Sequence, residues 1–278
     1  LLNPPVPVGS DPGGVAIAHI DTGVNYLLPH VSSRLARDNS GTILGWDMFD
    51  DDDRPFDGDP GASLLMPRRH GTSVATIILA EAPDARLVPY RHPGRDFGAF
   101  RDLIEDIAEG PARIIAMPLG GYHEVDWRAF AGALAAHPEL LVVVSAGNDG
   151  RDIDAEPVFP ASFDIENLLV VTSVDDFGML PIDSNWGLVS VDIAVPAEQI
   201  ATMDHRGASV RASGASYAVP RIAALAARFA AANPTWSTSD IKSAIIALAR
   251  PLPRQSTDKI RFGWLPNPAL VGPNPPLR

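Results

Sequence analysis

The sequence contains no cysteine among its 278 residues, which excludes disulfide bonds, cysteine nucleophiles and thiolate metal sites. Long hydrophobic runs are also absent, and no apolar segment is long enough to span a bilayer. The first ten residues, LLNPPVPVGS, have neither the basic region nor the apolar core of a signal peptide. We therefore expect no membrane span and no signal peptide within the sequence given, and earlier removal of a signal or propeptide stays open.

Basic residues are scarce as well, because 22 lysines and arginines face 34 aspartates and glutamates and leave a net charge of −12. Such a surface repels phosphate groups, so nucleic acid is not an expected partner. Hydrophobic residues make up 46% of the chain, which is enough to bury a large core. The 23 glycines and 27 prolines suit an α/β domain with many short loops.

Apolar runs of strand length alternate with amphipathic segments of helix length along the chain. This order predicts a parallel sheet with helices on both of its faces. No linker divides the chain, so we expect a single domain over 1–278 with an extended arm at 1–14 and a loose tail at 272–278. The predicted strands are 15–20, 85–90, 113–117, 140–150, 168–174 and 191–195, and the predicted helices are 68–83, 98–110, 125–137, one within 213–234, and 238–249 with Ser237 as its cap.

One serine, Ser216, stands among small residues at the start of the alanine-rich segment 213–234. A hydroxyl at the mouth of a helix can point outward, beside free backbone N–H groups and the helix dipole. We expect Pro220 in or near the first turn, where its missing N–H costs little. Ser216 is therefore a candidate nucleophile, and a serine used only as a helix cap is the alternative.

Two further polar residues stand at the ends of predicted elements. Asp21 follows the strand at 15–20, the usual position of functional groups in open α/β sheets, and a turn aspartate is the alternative. His70 begins the helix at 68–83 and can reach into a cleft, and a capping or surface histidine is the alternative. His19 lies inside the strand, where we expect a core histidine with satisfied polar atoms rather than a ligand.

An acidic segment at 45–61 carries seven aspartates within 13 positions: Asp47, Asp50, Asp51, Asp52, Asp53, Asp57 and Asp59. Carboxylates this dense repel one another unless a cation or solvent separates them, and hard oxygen ligands suit Ca²⁺. Their spacing is not that of an EF-hand loop. Two interpretations therefore stay open, a structural calcium site formed by Asp47, Asp50, Asp52 and Asp53, and a solvated surface loop.

Four residues supply, in chain order, the roles that acyl transfer requires. Ser216 would attack a carbonyl group, His70 would act first as base and then as acid, and Asp21 would orient His70. Asn148, in the glycine-flanked segment that ends the strand at 140–150, would donate to the oxyanion together with the N–H of Ser216.

The segments around these residues resemble those of a known family, the subtilisin-like serine proteases or subtilases, in which aspartate, histidine and serine follow the same order. The matching motifs are DTGV at 21–24, HGTSVA at 70–75, SAGNDG at 145–150 and SGASYAVP at 213–220. Weaker similarities extend the resemblance over most of residues 15–271, namely MPLGG at 117–121, FPAS at 159–162 and the segment 184–196.

The resemblance implies a three-layer α/β/α fold around a mainly parallel sheet of about seven strands. It also implies serine endopeptidase activity on a peptide or protein substrate, with no cofactor required for the chemistry. Subtilases commonly carry an inhibitory propeptide and are commonly secreted, so a propeptide or inhibitor is an expected partner and an intracellular location is left open. By the same resemblance, the substrate-binding positions are Leu119, Gly120, Gly121, Ala146, Gly147 and Val158.

The sequence departs from the family pattern beside each motif. The departures are Arg69 where glycine usually precedes the histidine, Ser73 for a second histidine, Ala215 for threonine, Tyr217 for methionine, and Pro118 for serine in the substrate strand. They predict a narrow or slow protease, and Val158 in place of a glycine at the pocket floor predicts a preference for small or medium side chains. The helix at 68–83 runs on without the calcium loop of many bacterial subtilisins, so we expect that calcium site to be absent.

Two other functions stay open at this stage. A transacylase would use the same triad and pass the acyl group to an amine. A catalytically silent subtilase would only bind a peptide or a partner protein, which the departures favour and the four intact catalytic positions disfavour.

Overall fold

A parallel sheet of seven strands forms the centre of the computed structural model, which describes residues 3–58, 68–253 and 258–272. The strands lie in the order β2-β3-β1-β4-β5-β6-β7, and every neighbouring pair runs parallel. This confirms the predicted parallel sheet. The strands are β1 Ala16–Asp21, β2 Trp46–Asp47, β3 Arg86–Arg91, β4 Ile114–Met117, β5 Leu141–Ser145, β6 Leu168–Val174 and β7 Ile193–Pro196.

Helices cover both faces of the sheet and give the predicted three layers. They are α1 Pro29–Ser32, α2 Gly71–Glu81, α3 Ala99–Glu109, α4 Glu124–Ala136, α5 Ala215–Ala232, α6 Thr238–Ala247 and a final 3₁₀ turn, Pro268–Leu270. Successive side chains of a strand point to opposite faces. On β1, Ile17 packs in the core that includes α2, α5 and α6, whereas Ala18 and Ile20 pack in the core that includes α3 and α4.

Helix α5 is buried along most of its length, because its small alanine side chains allow close packing against the sheet. Its proline corrects one prediction. Pro220 lies four residues after Ser216, further into the helix than the first turn. A proline there has no N–H to donate to the carbonyl of Ser216, so the start of α5 lacks one of its usual hydrogen bonds.

Most predicted elements are present with ends shifted by a few residues. The strand at 168–174 and the cap of α6 are as predicted, since Ser237 Oγ accepts from the N–H of Asp240 and the Asp240 carboxylate accepts from the N–H of Ser237. The sequence analysis missed β2 and an antiparallel hairpin formed by β8 Ile200–Met203 and β9 Ser209–Ala212. These strands are short and partly exposed, so they lack the apolar runs that mark buried strands.

The described part of the N-terminal arm packs on the domain through backbone carbonyls. Tyr26 Oη donates to the carbonyl of Pro4 at 2.6 Å, and Arg37 donates to the carbonyl of Pro7 at 2.8 Å. Of the predicted loose tail, residues 273–278 lie outside the described residues. Among the residues described, no helix has the length and apolarity needed to cross a membrane.

Candidate active site

A cavity of about 370 Å³ lies where the carboxyl ends of β1, β4 and β5 meet the N-termini of α2 and α5. The structure brings all four predicted catalytic residues to it, although they are widely separated in the sequence. The lining residues are Asp21, Thr22, Arg68, His70, His92, Pro118, Leu119, Gly120, Gly121, Tyr122, Ser145, Gly147, Asn148, Asp149, Val158 and Ser216.

Asp21 and His70 form a directly hydrogen-bonded pair. His70 Nδ1 lies 2.9 Å from Asp21 Oδ1 and 2.8 Å from Oδ2. Asp21 is the last residue of β1 and is fully buried, whereas His70 caps α2 and keeps 12% of its side chain exposed. The pairing through Nδ1 leaves Nε2 of His70 as the nitrogen that can exchange a proton at the cavity.

Opposite effects of burial and charge set the protonation of this pair. Burial alone would lower the pKa of His70, but the charge of Asp21 and their hydrogen bond raise it above its ordinary value. Burial alone would raise the pKa of Asp21, but the charge and hydrogen bond of His70 lower it below its ordinary value. Asp21 is therefore ionised where His70 titrates, as an orienting carboxylate must be.

A buried network fixes the main chain of His70. Thr22 Oγ1 accepts from the N–H groups of His70 at 3.0 Å and Gly71 at 2.9 Å, and donates to Asp57 Oδ1 at 2.6 Å. Asp57 Oδ2 accepts from the N–H of Thr72 at 3.1 Å, and also from the hydroxyl of Thr72. Asp57 thus satisfies a free N–H group in the first turn of α2, where a carboxylate also complements the helix dipole.

The sequence analysis named Asp57 only as a member of the acidic segment and so missed this role. His205, from the β8–β9 turn, approaches the same carboxylate with Nδ1 at 3.4 Å from Oδ2. The signal that could have found Asp57 is its position between Asp21 and His70 in the sequence, next to the apolar Phe56. Asp57 is a positioning residue, because it holds the backbone that carries His70.

Ser216 is the second residue of α5, and its N–H has no acceptor within the helix. The preceding cap, Gly214, has φ +121°, a conformation that favours glycine. A Cβ at Gly214 would also lie 2.9 Å from Asn148 Oδ1. Gly214 therefore brings the start of α5 against Asn148, and Ser216 lines the cavity there.

Asn148 lies beside Ser216 and is oriented by the same helix. Its Oδ1 accepts from the N–H of Ala215 at 2.7 Å, which leaves its Nδ2 group as a donor. Asn185 holds the loop that carries Asn148, because it donates to the carbonyl of Ala146 at 2.8 Å and accepts from the N–H of Asp149 at 2.9 Å. The sequence analysis included Asn185 in a weak motif only and assigned it no role.

Five of the six predicted substrate-binding residues line the cavity, namely Leu119, Gly120, Gly121, Gly147 and Val158. Ala146 does not line it, because its side chain is fully buried in the core and Ser145 occupies the wall instead. Gly121 and Phe159 exchange backbone hydrogen bonds of 2.8 Å in both directions, which closes one wall.

The residues that depart from the family pattern surround the site without displacing the pair. The ring of Tyr217 packs beside that of His70, with centroids 5.5 Å apart. Ser73 Oγ donates to the carbonyl of Met203 at 2.9 Å and so connects α2 to β8. Pro118 lines the cavity, and Arg69 is exposed to solvent.

The predicted calcium site is not found among the described residues. Within them, no group of three or more histidines, aspartates or glutamates is arranged to hold a metal ion. Asp47 and Asp50 instead share the guanidinium of Arg91, at 2.8 and 2.7 Å. Asp52 accepts from Asn3 at 2.8 Å, and the Asp53 carboxylate lies 3.6 Å from Arg54. The separating cation is thus an arginine, and Asp59 lies outside the described residues.

The prediction for His19 was correct about its place in the core and wrong about its hydrogen bonds. His19 is fully buried, as expected of a core residue, but neither ring nitrogen has a hydrogen-bond partner among the residues described. Its Nε2 lies 3.9 Å from Asp21 Oδ2.

Known proteins share this sequence pattern and fold. A sequence profile of the subtilase family (peptidase S8) matches residues 13–264. A thermophilic serine proteinase of Bacillus sp. (strain AK1) is 32% identical over 231 residues, which cover 78% of this chain and 52% of that protein. Thermitase of Thermoactinomyces vulgaris is 28% identical over 237 residues, which cover 84% of this chain and 80% of thermitase.

Two solved structures resemble the fold at identities that show the fold alone. A lanthipeptide protease superposes with a TM-score of 0.75 at 20% identity, over 92% of this chain and 86% of that one. A cold-adapted subtilisin-like serine proteinase superposes with a TM-score of 0.71 at 23% identity, over 94% of both chains. With the family profile spanning most of its length, the chain belongs to the subtilase family.

Proposed function

We propose that this chain is a serine endopeptidase that hydrolyses peptide bonds through an acyl-enzyme. The observation that carries the proposal is the hydrogen-bonded Asp21–His70 pair beside a cavity that Ser216 and Asn148 also line. A serine hydroxyl is a weak nucleophile by itself, and a neighbouring base oriented by a carboxylate is the arrangement that activates it.

In the proposed reaction, Ser216 Oγ attacks the carbonyl carbon of the scissile bond while His70 Nε2 takes its proton. The Asn148 side-chain N–H and the backbone N–H of Ser216 donate to the oxygen that becomes negative. His70 then gives its proton to the leaving amine, and the acyl group stays on Ser216. In the second half, His70 takes a proton from water while the water oxygen attacks the acyl carbon. His70 then returns that proton to Ser216 Oγ, and the carboxylic acid is released.

A narrow specificity for small or medium side chains is part of the proposal. Val158 lies against Gly120, where an added Cβ would meet Val158 Cγ1 at 3.4 Å and the carbonyl of Phe159 at 3.1 Å. Little space is therefore left between these two walls for a large aromatic ring. Profiling with a peptide library tests this, and efficient cleavage after phenylalanine or tryptophan would contradict it.

Labelling with a fluorophosphonate probe, followed by peptide mapping, tests the activity itself. We expect one label on Ser216 in the wild type and none in Ser216→Ala or His70→Ala. Absence of label on folded, monodisperse wild-type protein would contradict the proposal and favour a catalytically silent subtilase. Product partitioning with an added amine distinguishes hydrolysis from transacylation, because only a transacylase would pass most of the acyl group to the amine.

A further inference from the structure

His19 is a buried titratable residue that the proposed reaction does not use. It lies on β1 two residues before Asp21, so both side chains point to the same face of the sheet. Its register neighbours on the adjacent strands are Pro89 on β3 and Ala116 on β4, which offer it no side-chain partner. Both ring nitrogens are buried without a hydrogen-bond partner among the described residues.

A buried imidazole without partners costs free energy that an apolar side chain of similar size would not cost. The rest of β1 follows the usual rule, since Ile17, Ala18 and Ile20 are apolar and fully buried. Violations of local rules in an otherwise consistent segment are typical of functional sites. We therefore expect the unfavourable burial of the His19 imidazole to be offset by a benefit to function.

His19 approaches the site through the second oxygen of Asp21. Oδ1 of Asp21 accepts from the N–H of Thr22 at 2.7 Å and also faces His70. Oδ2 has His70 as its hydrogen-bond partner, and His19 Nε2 lies 3.9 Å away. That distance is too long for a hydrogen bond, but at such a range inside a dry core a polar N–H still acts on a carboxylate.

The groups around His19 favour its neutral form. Burial lowers the pKa of His19, and the opposing charges of Asp21 and Asp57 do not reverse this. His70 is the remaining titratable group that acts on it, and its positive form disfavours a second positive charge. A neutral imidazole carries one N–H, and only the Nε2–H tautomer directs that donor toward the carboxylate.

We propose that His19 is a positioning residue of the proposed protease, a neutral imidazole whose Nε2–H faces Asp21 Oδ2 and moderates the negative charge that His70 meets. The proposal rests on the proposed function, because moderating this charge matters only if His70 must release its proton during turnover. Without His19, the carboxylate holds the His70 imidazolium more tightly and the base is regenerated less readily.

NMR titration of His70 in the inactive Ser216→Ala background tests the electrostatic step directly. We expect His19→Leu to raise the pKa of His70 by about 0.3–0.5 unit and to change the low-field signal of its Nδ1 proton. His19→Gln restores an N–H at a similar reach and should return the titration toward that of the parent. An unchanged His70 titration in His19→Leu would overturn the proposal.

Kinetics of the active enzyme test the consequence. We expect His19→Leu to lower kcat by about two- to threefold, the change that matches the shift in the His70 pKa, with little change in KM. The acid limb of the pH profile should move to higher pH. Its melting temperature should stay equal or rise, because the unsatisfied imidazole is gone. Ile17→Ala, on the same face of β1, is the matched control and should lower the melting temperature without moving the pH profile.

The two experiments separate the two proposals. If His19→Leu behaves like Ile17→Ala, with a lower melting temperature and an unmoved pH profile, His19 only fills the core. A shifted His70 titration in a protein whose wild type neither labels nor hydrolyses would support the placement of His19 and contradict the protease function.

Discussion

Two buried aspartates stand at the same edge of the sheet, and they meet their positive partners differently. Asp21 ends β1 and pairs with His70, whereas Asp47 ends β2 and pairs with Arg91. Both carboxylates are fully buried, and Arg91 lies in register with both on the intervening strand β3. The two sites are therefore matched in burial and position and differ in the chemistry of the cation.

The cation decides what each carboxylate can do. A guanidinium stays charged at every working pH, so the Asp47–Arg91 pair has one state and serves the fold. An imidazole titrates near neutrality, so the Asp21–His70 pair can hold and release a proton at the cavity. Burial raises the pKa of Asp47 despite Arg91, whereas His70 lowers the pKa of Asp21 despite burial. The comparison predicts that changes at one site alter activity and changes at the other alter stability.

Removal of the proposed nucleophile should give the largest effect on activity and the smallest on the fold. Ser216→Ala deletes one hydroxyl next to Ala215, in a helix already rich in alanine. We expect kcat/KM to fall by about 10⁶-fold, the loss that removal of the serine causes in subtilisin. The melting temperature, measured alongside, should stay within a degree or two of the wild type; substantial residual hydrolysis would point to another nucleophile.

Removal of Arg91, the permanently charged cation, should instead have a large effect on stability and a small effect on activity. Arg91→Met leaves Asp47 buried without its partner, and we expect unfolding free energy to fall by about 3–5 kcal/mol in chemical denaturation. The double variant Arg91→Met with Asp47→Leu should recover much of this loss, because no uncompensated charge remains. In the fraction that stays folded, the pH profile of activity should match the wild type. A shifted profile would mean that the two aspartates are coupled.

Substitution of the proposed oxyanion donor, Asn148, should have the next largest effect on activity. Asn148→Leu removes both the Nδ2 donor and the oxygen that accepts from the N–H of Ala215. Asn148→Asp keeps an acceptor oxygen but replaces the donor with a negatively charged oxygen. We expect kcat to fall by about 10²–10³-fold in each, with KM little changed. Steady-state kinetics with a peptide substrate separate kcat from KM. A rise in KM with kcat unchanged would assign Asn148 to substrate binding instead.

Enlargement of the proposed specificity pocket should give the smallest effect on activity. Val158→Gly removes the side chain that packs against Gly120. We expect the ratio of kcat/KM values for large over small side chains before the scissile bond to rise by about 10–100-fold. Competition between two peptides in one reaction measures this ratio. An unchanged ratio would place the pocket floor at another residue.

Local patterns were sufficient to predict the residues that stand at the ends of elements. Asp21, His70, Asn148 and Ser216 each follow a strand or begin a helix, and the carboxyl edge of a parallel sheet brings such ends together. The alternation of strands and helices along the chain is likewise a local pattern, and it predicted helices on both faces of a parallel sheet. Ala146 shows the limit, because one residue of register decides whether a side chain faces the cavity or the core.

Partners that are distant in the sequence were not predictable. The acidic segment left a calcium site and a solvated loop as alternatives. Its actual cation, Arg91, lies 41 residues beyond Asp50, and the pairing of β2 with β3 brings it there. Asp57 and Asn185 act through backbone groups that local patterns do not identify. His19 was expected to have partners because buried polar groups almost always do, and its exception became visible only in the packed core.

The pH dependence of Ser216 phosphonylation in the wild type and in Asp21→Asn tests most directly whether the three residues act as one unit. In the wild type, we predict a rate that rises with pH through the pKa of His70, which Asp21 holds above its ordinary value of 6.5. In Asp21→Asn this support is lost, so the rise should move to lower pH and the plateau should fall by about 10⁴-fold. The same rise and the same plateau in both proteins would contradict the triad.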